Sequence, residues 1–97
     1  MNIFEQMGNI YSEVGRSFKA KRAGKIKERD ESIIRALDLF DATTETLAAQ
    51  KSIRLKEVLR AKDQFLSIVL DANASPKDID SIDRYFLQFA TAARINK

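Results

Sequence analysis

The sequence predicts an all-α protein, an antiparallel four-helix bundle with up-down-up-down topology, and three observations carry that prediction. The chain holds only three glycines and one proline in 97 residues, and alanine, leucine, lysine, arginine and glutamate fill the intervals, a helical composition. Apolar residues recur at spacings of three and four in four separate stretches, the period of a helix with one buried face. No segment alternates apolar and polar residues between turn signals, as a half-buried strand would. A chain of 97 residues has length for one core and not for two, so residues 1–97 are read as a single helical-bundle domain.

The first helix is expected to begin at Asn2, a side chain that caps helices well. Its core face is Phe4, Met7, Tyr11, Val14 and Phe18, widened by Ile3 and Ile10. Gly8 and Gly15 lie along one edge of that face. Each costs a helix interior roughly 1 kcal/mol relative to alanine, which is explained either by close approach of another helix or by simple tolerance. Beyond Phe18 the face gives way to Arg22, Lys25 and Arg29. Residues 19–29 are read as a solvated, mobile segment, either a loop or a protruding end of the first helix, and Gly24, which can end a helix, favours the loop.

A second helix is expected from about Asp30, acting as cap, to about Gln50, burying Ile33, Leu37, Phe40, Thr44 and Leu47 with Ile34, Ala36 and Ala48 beside them. Asp38, Asp41 and Glu45 make an acidic ridge on its other side. The next break holds neither glycine nor proline and is placed by a change of phase, with Ser52 as cap. Without that break, residues of the second and third helices would form one rod of about 60 Å. The third helix carries Leu55, Val58, Leu59, Phe65, Leu66 and Val69, and it interrupts this face with Lys62. Such a lysine snorkels at the edge, pairs with a carboxylate, or lines a reactive cleft. Ser75, Pro76 and Asp78 spell out the start of the fourth helix: a cap, a proline at the first helical position, and an acid three residues after the cap. Ile79, Ile82, Phe86, Phe89 and Ala93 form its face, with Tyr85 and Ala90 alongside and Leu87 pointing away. Short connections make neighbouring helices antiparallel. Burial of such regular helices is often completed by dimerisation, and exchange of helix pairs between two chains is one way to build the dimer.

Composition narrows the function. The chain has no cysteine and no histidine, so disulfides, thiolate chemistry and the usual nitrogen and sulfur metal ligands are absent; no cofactor, metal or small-molecule ligand is expected. Glu5 sits where a signal peptide would carry its basic start and apolar run, and a cytoplasmic location is expected. Asp78, Asp80 and Asp83 cluster at a helix N-terminus, where they oppose the positive end of the helix dipole without any chemistry. Phosphate-binding glycine loops and nucleophile elbows are missing, and the chain is read as not an enzyme.

Charge is the most function-like signal. Residues 1–29 carry seven basic and three acidic groups, net +4, whereas residues 30–50 carry one basic and five acidic groups, net −4. The candidate interaction surface is therefore Arg16, Lys19, Lys21, Arg22, Lys25, Lys27 and Arg29. The first expectation is macromolecular interaction, through a homo-oligomer or a protein partner whose acidic surface meets this cluster. The alternative is a nucleic-acid-binding accessory protein contacting phosphates, although no aromatic residues interleave the basic ones. An enzyme built on carboxylates and Lys62 comes third. Only Ala20, Ala23 and Ile26 are apolar between Lys19 and Arg29, too little for a membrane-surface helix, so no membrane partner is expected.

Overall fold

The computed structural model describes residues 2–95, and their side chains as far as residue 91. Four helices follow one another: α1 (Ile3–Arg22), α2 (Ile26–Ala49), α3 (Arg54–Val69) and α4 (Pro76–Ile95). Among the described residues there is no strand, and no helix is long and apolar enough to cross a membrane.

Local chemistry sets the ends. Asn2 caps α1, its Oδ1 accepting from the Glu5 N–H at 2.9 Å. At the other end Gly24 takes φ +73°, so the Lys25 N–H reaches Ala20 O at 2.9 Å and the Gly24 N–H reaches Lys21 O at 3.1 Å. These paired bonds are a Schellman closure that satisfies the last carbonyls of the helix. The expected loop over residues 19–29 shrinks accordingly to a three-residue turn, Ala23 to Lys25, and α2 begins at Ile26, not Asp30. Lys25 offers no side-chain cap. The good helix formers that follow it carry the helix back to the turn, and Asp30 sits inside the helix instead of capping it.

The break between α2 and α3 is real, and its device is unusual. Lys51 adopts φ +52°, and the bonds from Ser52 N–H to Leu47 O (2.9 Å) and from Lys51 N–H to Ala48 O (3.1 Å) repeat the Schellman pattern without a glycine. The cap position of α3 is Ile53 and not the expected Ser52, which stands one residue earlier and whose Oγ accepts from the Arg54 N–H at 3.2 Å. With the rod folded back, the longest dimension is 38 Å and the radius of gyration 13.1 Å, near the ~12–13 Å of a compact chain of this length. The capping box of α4 is reciprocal: the Asp78 N–H donates to Ser75 Oγ at 3.2 Å and the Ser75 N–H to Asp78 Oδ2 at 3.4 Å.

Side-chain contacts give the topology. Gln6 meets Thr46, Asp41 meets Lys62, and Glu57 meets Tyr85, so each helix runs antiparallel to its chain neighbour. Phe4 against Phe89 closes the ring of four. The core is tied together by one phenylalanine from each helix, all four at most 1% exposed: Phe18 against Phe65 (5.7 Å between ring centres), Phe65 against Phe40 (6.2 Å), and Phe40 against Phe86 (5.7 Å). Two of these contacts are edge-to-face, an arrangement that adds roughly 0.5–1.5 kcal/mol to simple burial.

Tolerance suffices for both helical glycines. A Cβ on Gly8 would meet Ala90 Cα of α4 at 3.8 Å, an ordinary van der Waals contact, and nothing lies near Gly15. Ile34, Ala48 and Leu59 are exposed, not part of the buried faces where the spacing placed them. Successive helical residues are about 100° apart, so turning Ile33 and Val58 inward leaves Ile34 and Leu59 on the flanks. Thr43, and not Thr44, is the buried threonine of α2. The Ala93 side chain lies outside the described residues.

Candidate interaction surface

The turn between α1 and α2 gathers the basic residues at one end of the bundle. Lys19, Lys21 and Arg22 occupy the last turn of α1, where cations oppose the negative end of the helix dipole. Lys27 and Arg29 stand in the opening turns of α2, and Lys25 lies in the connection.

Three of the seven are engaged within the fold. Arg16 donates to Glu13 Oε1, and Arg35 Nε donates to the other oxygen, Glu13 Oε2, at 2.9 Å. Glu13 is 7% exposed, a nearly buried carboxylate gripped by two guanidinium groups, one of which comes from α2. Arg35 also donates to the hydroxyl of buried Ser32 at 3.1 Å. Lys21 Nζ donates to the Asp71 carbonyl at 2.6 Å and pins the end of α1 to the connection between α3 and α4. Arg29 pairs with the neighbouring Asp30 at 2.8 Å. Lys19, Lys25 and Lys27 are exposed and form no ion pair among the described residues. Arg22 is exposed beside the start of α4.

Carboxylates border this end. A hollow of about 270 Å³ is lined by Lys21, Arg22, Ala72, Ala74, Pro76, Ile79 and Asp80. Next to it Asp83 has its pKa pushed above the ordinary carboxylate value, first by burial and then by the charge of Asp80, with Arg22 pulling the other way. The surface is a mixed-charge end with three protruding lysines, not a continuous basic stripe.

Elsewhere the chemistry is quiet. Lys62 is part-buried, and its ammonium lies 3.8 Å from Asp41 of the acidic ridge, so it both snorkels and pairs. A groove of about 460 Å³ between α3 and α4 is lined by Gln64, Ser67, Ile68, Asp78, Ser81, Ile82 and Tyr85. The Tyr85 hydroxyl donates to Glu57 Oε1 at 3.1 Å. Burial first, then the Glu57 charge and that hydrogen bond, push its pKa far above the ordinary phenol value, so Tyr85 stays a neutral donor. Arg54 covers the rings of Phe4 and Phe89 at 5.9 and 5.7 Å, closing the opposite end of the bundle with cation–π contacts. Among the described residues no group of three or more acidic side chains is placed to hold a metal ion.

The Glu13 cluster escaped the sequence reading because Glu13 and Arg35 are 22 positions apart and on different helices. The one available signal was positional: Glu13 stands beside Val14, at the margin of the apolar face. In comparisons with known proteins, no family model, curated protein or solved structure matches this chain.

Proposed function

We propose that this protein is a non-enzymatic binding module whose α1–α2 turn docks on the acidic surface of a protein partner. The observation that carries the reading is the exposure of Lys19, Lys25 and Lys27 around one short turn, each without an ion pair among the described residues. Such lysines keep their charge for an incoming surface, and they lend association rate and orientation more than raw affinity. Asp80, Asp83 and the capping Asp78 stand at the same end, and a phosphate backbone crossing it would meet them as well as the lysines. A folded partner of mixed charge suits that arrangement better than nucleic acid.

A catalytic reading has little support. Lys62 is paired, Tyr85 is held neutral, and Asp78 is occupied as a cap. With no cysteine, the chain needs no oxidising compartment, which suits the cytoplasm.

The test is a K19Q/K25Q/K27Q variant alongside the parent, cross-linked in cell extract, with partners identified by mass spectrometry. A mixed-sequence oligonucleotide is run with each protein on a sizing column at low and at physiological salt, because phosphate contacts weaken steeply as salt rises. The expected result is unchanged helicity, loss of the cross-linked protein partners and no oligonucleotide complex. Partners retained by the variant would refute the site, and an oligonucleotide complex that the variant abolishes would make phosphate the ligand.

A further inference from the structure

Four of the six large apolar side chains exposed among the described residues share one flank of the bundle: Ile26 and Ile34 of α2, and Leu59 and Leu70 at the α3 side, between 41% and 60% exposed. Half-buried Leu55 and Leu66 join Leu59, Lys62 and Leu70 in a line of helical spacing, and the contact of Lys62 with Asp41 shows that this line faces α2. Scattered surface leucines need no explanation, but an aligned strip on one face marks an interaction surface.

The strip has two halves of opposite sign. The α2 half bears exposed Asp38, Asp41 and Glu45, and the α3 half bears Lys56 and Lys62 against Asp63, while Arg60 lines the hollow with Gln64 and Tyr85 on the α4 side. The heights match as well. Taking the Asp41–Lys62 contact as the common level, seven residues or about 10 Å toward the basic end bring Ile34 level with Leu70. In the opposite direction Glu45 comes level with the turn that holds Lys56 and Leu59.

We propose that this face is the interface of a homodimer, with a two-fold axis running along the α2–α3 seam. This site is separate from the basic turn and goes beyond the partner-binding reading. Such an axis lays α2 of one copy on α3 of the other and keeps heights unchanged, so groups that are level within a chain meet across the axis. Ile34 then packs on the partner's Leu70, and Glu45 faces the partner's Lys56. A two-fold axis across the helices would instead stack α2 on α2 and set Asp38, Asp41 and Glu45 against their own copies, which repulsion disfavours. A foreign basic helix would suit the acids but meet the like charges of Lys56 and Lys62. A second copy satisfies both halves. The bundle measures 38 by 25 by 22 Å, so its side has room for the ~800 Å² that each subunit of a standard interface buries.

Light scattering behind a sizing column tests this across a concentration series, with circular dichroism to check folding. The parent is expected to elute at twice 11.0 kDa. E45K and K56E, both at exposed positions, each place like charges across the interface and are expected to weaken dimerisation at least about tenfold. An equimolar mixture of the two restores opposite charges at both contacts and is expected to dimerise like the parent. K19Q/K25Q/K27Q is expected to remain dimeric. A parent that stays monomeric at ~100 µM, far above the Kd of a standard interface, would overturn the proposal. So would single variants that dimerise normally, or a mixture no tighter than its components.

Discussion

Phe65 is the side chain whose loss the bundle should tolerate least. It is fully buried on α3 and touches Phe18 of α1 edge-to-face at 5.7 Å and Phe40 of α2 at 6.2 Å, so three helices share its ring. Truncating a buried phenylalanine to alanine costs about 3–5 kcal/mol in lost transfer energy and residual cavity. Losing two ring partners, each worth roughly 0.5–1.5 kcal/mol, places Phe65→Ala in the upper half of that range, about 4–5 kcal/mol. A domain of this size has about 5–15 kcal/mol in total, and each kcal/mol moves Tm by about 4–8 °C, so the variant should melt at least about 16 °C below the parent. The assay is urea unfolding followed by far-UV circular dichroism at one protein concentration, where the midpoint falls and the slope m stays the same. Leu87→Ala is the control: Leu87 is 43% exposed on α4, away from the α2–α3 flank, and its truncation should cost no more than about 1 kcal/mol. A Phe65→Ala loss below about 2 kcal/mol, or one equal to that of Leu87→Ala, would refute the core described above.

Other perturbations probe single contacts. Lys51→Gly should stabilise the protein by up to about 1 kcal/mol, because φ +52° strains a residue with a Cβ and suits glycine; a lower Tm would show that the Lys51 side chain matters more than its backbone. Arg35→Leu should cost about 1–2 kcal/mol by leaving the nearly buried Glu13 with Arg16 alone, whereas Glu13→Leu should stay within about 1 kcal/mol because the freed arginines are more than half exposed; urea midpoints in the reverse order would sink that account. Asp83 binds its proton more tightly when folded, so its charged form destabilises the fold at neutral pH, and that penalty is relieved as pH falls through the raised pKa toward the ordinary 3.8. Asp83→Asn should therefore raise Tm at pH 7, with a gap to the parent that closes as pH approaches 4; a constant gap across that range would contradict the shift.

What the sequence determined by itself is everything that rests on neighbours three or four positions apart. The caps at Asn2 and Ser75, the proline start of α4, the glycine end of α1 and the inward faces carrying Phe18, Phe40, Phe65 and Phe86 all belong to that range. The basic cluster was legible as composition, but its state was not. Which basic residues remain available depends on Glu13, Asp71 and Asp30, and only the folded chain brings the first two to Arg35 and Lys21. The tertiary structure also decided that α2 reaches back to Ile26, that Lys51 makes a turn usually given to glycine, and that Gly8 faces Ala90 of α4 while Gly15 faces open space. It alone left Ile34, Leu59 and Leu70 uncovered along the α2–α3 flank. The physical reason is common to these cases: helix periodicity says which way a side chain points, whereas burial and strain depend on what another helix places opposite it.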